Sequence, residues 1–176
     1  MWKKKLNQKE EQFVRSNFFR AFSFLFLVLL SFRSLGEHFF WFTPNLLAAQ
    51  KYNLELRLTT ASEILQIEQT AAPENSAIQY LLHANLYFKA FVSEESSEYA
   101  AYLEVRDLAI SHFDLLPDST PYKKFLLSEV YFSSATLKAK RNEFYGAARD
   151  VNKAYSLIES NYTLFPDFLP NNLNVY

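Results

Sequence analysis

Three histidines, His38, His83 and His112, are the side chains here best suited to acid–base or metal chemistry near neutral pH. A metal set on a helix needs a second ligand three or four residues away. Neither His83 nor His112 has one, although Asp114 lies close to His112 in sequence. His83 falls in an apolar stretch and His112 beside Phe113, so both read as core or boundary histidines. Glu94, Glu95 and Glu98 have the charge for calcium or a cationic substrate but lack an oxygen-rich loop with glycine. A solvated linker accounts for them. Lys138, Lys140 and Arg141 have the charge to hold a phosphate, yet they stand in the last turn of a predicted helix, where cations complement the dipole. Asn161-Tyr162-Thr163 matches a glycosylation acceptor inside another predicted helix, where a chance match is the better reading. No serine stands at a nucleophile elbow, and no helical pair of carboxylates accompanies a buried base. These residues predict no catalytic site, no metal site and no cofactor.

Composition narrows the classes further. The two glycines, Gly36 and Gly146, are too few for the phosphate-cradling loops of dinucleotide-binding and P-loop folds. With no cysteine, disulfides, thiolate zinc sites and a thiol nucleophile are excluded. A formal net charge of -1 gives no electrostatic reason to expect nucleic acid. Hydrophobic residues, at 49%, suffice for a packed core, and the 18% aromatic content falls largely on apparent helix faces.

The elements that must position these residues are helices throughout. Thr43-Pro44 reads as an N-cap with proline at the first helical position, opening a helix to about Arg57 with Leu46, Leu47, Ala49 and Tyr52 apolar. A second, from about Thr59 to Thr70, carries Ala61, Ile64, Leu65 and Ile67. Ser76 and Gln79 have the spacing of a capping box. The helix they open, to about Val92, is apolar almost all round and so must be covered on several sides. A fourth helix carries Tyr99, Tyr102, Val105, Ala109, Phe113 and Leu116 and stops at Pro117. A fifth, from Pro121 to Lys140, has two apolar stripes, and a sixth spans residues 143–166. In the sixth, Phe144, Ala147/Ala148, Val151, Ala154/Tyr155, Ile158, Tyr162 and Phe165 form one stripe, opposite Arg149, Asp150, Lys153 and Glu159. The expected class is all-α.

Ahead of these helices, lysines and arginines through Arg20 precede the uncharged run 21–32. At twelve residues it is short of the roughly 20 needed to span a bilayer. A positive lead with a short apolar core is the pattern of a secretory signal, and Ser34-Leu35-Gly36 supplies small residues for cleavage before Glu37. An export signal is the expectation, with an uncleaved anchor or a buried helix as alternatives. Membrane contact would run through residues 18–42. The implied organisation is a signal or anchor over 1–36, a helical domain over 37–170 and a tail over 171–176.

The helix stops resemble one another: Ala72-Pro73-Glu74-Asn75, Leu116-Pro117-Asp118-Ser119 and Phe165-Pro166-Asp167-Phe168. The prolines are 44 and then 49 residues apart, with two helices in each interval, which suggests stacked helical hairpins. Here the chain resembles the tetratricopeptide repeat family. Ala49, Tyr52, Ala61, Leu65 and Pro73 stand at that family's spacings of small, aromatic, small, large apolar and proline positions. The last unit keeps Ala154, Ile158 and Pro166, and the middle unit departs, with Val105 and Ala109 ahead of Pro117. The chain also looks like the N-terminal part of exported bacterial proteins with such repeats, and its stop soon after an apolar helix suggests a truncated product or one that borrows a partner's surface.

The resemblance implies an α-solenoid of about three hairpins and protein–protein scaffolding without chemistry. The resulting expectation is a non-catalytic interaction scaffold at the cell envelope with a protein partner. A carrier of an apolar small molecule and a fragment of a larger repeat protein are the alternatives. In such a stack the 143–166 helix is the second of the last hairpin, so its stripe is expected to be the main exposed apolar surface.

Overall fold

A computed structural model of the chain describes residues 40–168 and Pro170. The run 21–32, the cleavage site before Glu37, His38 and the tail 171–176 lie outside the described residues. Among the described residues six α-helices follow one another: α1 (Pro44–Leu54), α2 (Leu58–Ala71), α3 (Ser76–Ser93), α4 (Ser96–Asp114), α5 (Pro121–Lys140) and α6 (Phe144–Leu164). Among the described residues there is no strand, and no helix is long and apolar enough to cross a membrane.

Local signals set most boundaries. Thr43 caps α1, its hydroxyl oxygen accepting from the Leu46 amide at 3.1 Å, with Pro44 at the first position. Thr120 and Pro121 repeat the device at α5. The cap of α3, however, is Asn75 and not Ser76. Asn75 Oδ1 accepts from the Ala77 amide at 3.1 Å and the Trp41 amide at 3.3 Å, while its Nδ2 donates to the Trp41 carbonyl at 2.9 Å. An asparagine offers both a donor and an acceptor, so one side chain starts the helix and fixes the segment before α1. The Ser76 hydroxyl, freed from capping, pairs with His112 Nε2 on α4 at 2.9 Å.

The turns α1–α2, α3–α4 and α5–α6 each contain one non-glycine residue at positive φ: Leu56 (59°), Glu94 (59°) and Asn142 (62°). The left-handed conformation stops one helix and reverses the chain within two or three residues. Connections α2–α3 and α4–α5 instead contain Pro73 and Pro117. Each helix packs on its sequence neighbours, and α3 also packs on α1 and on α5. As its composition requires, α3 is therefore covered by α1, α2, α4 and α5.

Three apolar clusters form the core of the described residues, the smallest joining Ala90, Tyr102 and Leu137; the other two are larger. One joins Leu46, Ala49, Leu65, Ala77, Ile78 and Leu81, and the other joins Ala109, Phe113, Leu116, Leu126, Leu127 and Val130. Phe40 and Tyr80 pack against both, and Phe40 stacks on Tyr122 with ring centroids 4.6 Å apart. Phe168 meets Tyr122 and Phe125 edge-on. The segments before α1 and after α6 thus both reach the start of α5.

Helix α6 is rotated from its sequence expectation. Its buried face is Ala147, Asp150, Ala154, Ile158 and Asn161. Phe144, Val151, Tyr155 and Tyr162 of the predicted stripe face solvent, and Asp150 leaves the polar side for the interior. The rotation follows from the partners α5 offers: Lys138 and Ser134 are buried there and satisfy the Asp150 carboxylate. Gly146 makes room for the lysine chain, since a Cβ there would come within 3.3 Å of Lys138 Cδ. We expect Ala154→Glu to cost about 3–5 kcal/mol, the scale of an unpaired buried charge. Tyr155→Glu, one position on but exposed, should change stability by less than about 1 kcal/mol. Urea unfolding of the two variants checks the rotation.

Candidate functional site

Among the described residues no three His, Asp or Glu side chains converge as metal ligands would. The carboxylates of the α3–α4 turn separate, because cations from other elements draw them apart. Glu94 pairs with Lys140 of α5 at 2.7 Å, and Glu98 lies 3.6 Å from Lys89 of α3. The Lys140 hydrogen bond and charge hold the Glu94 carboxyl below its ordinary value.

The basic trio at the end of α5 also disperses. Lys138 stands in the last turn of α5, as its sequence position indicates, and is buried there with Asp150. Lys140 donates to the Phe91 carbonyl at 2.6 Å and lies 4.1 Å over the Phe91 ring. Arg141 lies 4.4 Å over the Tyr99 ring and donates to Ser96 at 3.2 Å. These contacts tie the α3–α4 turn to the α5–α6 turn and spend the cations on the fold. Asn161, the glycosylation-pattern residue, is fully buried and donates to the Pro121 carbonyl at 2.9 Å.

Tertiary structure assembles two groupings that sequence spacing does not show. Ser76 and His112, 36 positions apart, have the separation of a nucleophile and its base. Ser76 is 0% exposed, however, so no substrate atom reaches its hydroxyl, and the pair holds α3 to α4. The second grouping is a polar chain through the interior. Arg106 of α4 donates to Ser134 of α5 at 3.3 Å, and Ser134 donates to Asp150 of α6 at 2.7 Å, where Lys138 also donates. Burial pushes the Asp150 carboxyl up, but hydrogen bonds from Lys138 and Ser134 and the charges of Lys138 and Arg149 outweigh it, leaving the group below its ordinary value. Around this chain His83 of α3 meets the Tyr102 hydroxyl of α4 at 3.2 Å. Burial, reinforced by the charge of Arg106, lowers His83 to about 4. Burial keeps Tyr102 protonated.

Two concave features among the described residues open to solvent: one of about 200 Å³ beside Tyr99, Lys140 and Arg141, and a groove of about 230 Å³ formed by α1, α3 and α5. Gln50, Asn53 and Leu54 of α1 make one wall, and Glu129, Phe132 and Ser133 of α5 make the other. Tyr80, Leu81, His83, Ala84, Tyr87 and Phe88 of α3 form the floor. Asn53 is fixed in place, donating to the Leu81 carbonyl at 3.1 Å and accepting from Asn85 at 2.7 Å. Asn85 also donates to the Leu58 carbonyl at 2.8 Å, so α1, α2 and α3 are locked where the groove begins. Phe132 is 60% exposed, an aromatic ring held open to solvent on a well-supported helix. Burial followed by the Glu129 charge raises the Tyr80 hydroxyl to about 12. The sequence signal for this floor was the all-round apolarity of α3, for which core packing was the favoured reading and an apolar pocket between helices the alternative.

No family model, curated protein or solved structure matches the chain.

The depressed His83 value carries a signed pH dependence. An unfolded histidine protonates near 6.5, whereas the folded one stays neutral to about 4, so stability is complete above the unfolded value and falls as pH drops from 6.5 towards 4. This interval corresponds to about 3 kcal/mol for the buried ring. Urea midpoints at pH 7.5, 5.5 and 4.5 should decline in the parent and decline less in His83→Gln.

Proposed function

We propose that the chain is a non-catalytic protein–protein interaction scaffold, a tetratricopeptide-like stack of three antiparallel helical hairpins held at the cell envelope. Residues 1–36 would serve as its export signal or anchor. The observation that carries the reading is the groove, because its walls and floor come from α1, α3 and α5, the first helix of each pair. Helices that recur in every unit of a stack line its concave side, and that side is where such proteins hold extended segments.

Other features support the stack. Left-handed residues fall within pairs, at Leu56, Glu94 and Asn142, whereas Pro73 and Pro117 fall between them. Contacts of α1 with α3 and of α3 with α5 run as a row alongside the pairwise contacts. Ala49, Ala61 and Leu65, three of the positions that carry the family resemblance, are 0% exposed, and Ala109 of the divergent middle unit is 1% exposed. Tyr52 is half-buried beneath Arg57, whose guanidinium lies 4.3 Å from its ring centroid. The carrier alternative is less well served. A groove of about 230 Å³ is smaller than the roughly 300–1,000 Å³ of small-molecule pockets, and it is open along one side.

Placing a photo-crosslinking benzoylphenylalanine at Phe132 of the full chain, in the producing cell, tests the reading. A discrete protein adduct should form from position 132 and be absent from position 108, where Leu108 is exposed on α4. Adducts confined to lipid would favour the carrier, and identical adducts from both positions would remove the groove from the account.

A further inference from the structure

The side of α6 turned away from α5 gathers apolar surface that nothing in the fold covers. Among the described residues fifteen large apolar side chains are exposed, and six of them, Phe144, Tyr145, Val151, Tyr155, Tyr162 and Leu164, belong to this one helix. Its extensive packing is with α5 alone. Phe144, Ala148, Val151, Tyr155, Ile158 and Tyr162 recur at alternating intervals of four and three residues along the whole helix. That spacing is the seam of a coiled coil, which separates this face from apolar residues exposed singly.

The seam is its own complement. Reversing the helix about Lys153 carries Phe144 onto Tyr162, Ala148 onto Ile158 and Val151 onto Tyr155. Two copies laid antiparallel therefore set every seam residue against another, with the small Ala148 over the larger Ile158. A two-fold interface demands this property, because one patch must serve both copies, whereas a site for an unrelated partner does not. Charge selects the same direction. Tyr145, Asn152 and Glu159 run beside the seam, and antiparallel pairing brings Glu159 to Tyr145 and the first turn of α6 in the second copy. That turn carries no acidic residue, and its N-cap Glu143 makes no capping bond but turns to Tyr99 and Arg141. The carboxylate thus meets the positive end of a helix dipole, where parallel pairing would set Glu159 against Glu159. We infer that this face binds a second copy of the chain, the two α6 helices lying antiparallel about a two-fold axis beside Asn152 and Lys153. The side chains involved would bury on the order of 1,000 Å² in all, the lower limit of a specific interface, so the dimer is a weak and reversible one. No groove-lining residue belongs to α6, so this pairing stands independently of the groove.

The chain has no cysteine, so introduced cysteines report proximity without background. Full chains carrying Phe144→Cys and Tyr162→Cys, purified separately, are mixed above a dissociation constant expected on the order of 10 µM and treated with a short bis-maleimide. The mixture should give a crosslinked dimer, each variant alone should give little, and Leu108→Cys, exposed on α4, should give none. Adding Tyr155→Glu to both chains should weaken the dimer about tenfold or more and leave the thermal melt of the monomer in place. Asn152→Lys, which sets like charges face to face at the axis, should do the same and gives the answer if Tyr155→Glu fails to fold. Phe144→Cys crosslinking to itself as well as to Tyr162→Cys would mean that the helices are not antiparallel. A dimer that neither Tyr155→Glu nor Asn152→Lys weakens would place the contact elsewhere on the chain. Either result overturns the inference, and so does the absence of any crosslink, which would leave the seam to a different partner.

Discussion

Helix α3 has almost no side that can be left in water, and the rest of the domain is arranged around covering it. Apolar burial supplies the drive, but it is non-directional and would accept many coverings. Buried polar groups choose among them, because each one left unpaired costs about 1–3 kcal/mol. Asn75 at its start binds the segment at Trp41. Ser76 and His83 select α4 through His112 and Tyr102. Asn85 selects α1 and the start of α2 through Asn53 and the Leu58 carbonyl. Four polar side chains on this helix and its cap therefore tie it to four neighbours and set their register.

The same logic sets the outer helix. Asp150 sits within the buried face of α6, flanked by Ala147 and Ala154, whose small side chains bring α6 close to α5. Close approach leaves no water to solvate the carboxylate, so Lys138 and Ser134 must. Breaking such a buried pair is costly even where forming it adds little, so it fixes rotation more than it adds stability. The consequence is visible on the other side of α6, where Phe144, Val151, Tyr155 and Tyr162 are turned out to solvent.

The groove is a by-product of how α3 is covered. Neighbours α1 and α5 both touch it, yet they stand apart enough for its aromatic floor to remain open between them. A surface built in this way needs no activated groups. Under the proposed scaffold reading, that surface would hold a chain segment. Asn53 on its wall is committed to the fold.

Much of this was legible before any coordinates. The 3.6-residue periodicity, the Thr-Pro caps at 43–44 and 120–121 and the proline stops located all six helices, because helix formation is governed by neighbours in sequence. The need to cover α3 on several sides was legible for the same reason. What the sequence could not assign was the destination of polar groups that are neutral on a helical wheel. It placed Ser76 in a cap, Lys138 at a helix end and Asp150 in water. Their partners, His112 across 36 residues and each other across 12, are local only in space. Nor could it distinguish Phe132 and Tyr87 from core residues, since a groove is defined by what does not pack against it. Sequence alone thus determined the helices and their apolar load. Tertiary structure decided their rotations and the open side of α3, because satisfying buried polar groups depends on atoms that only folding brings together.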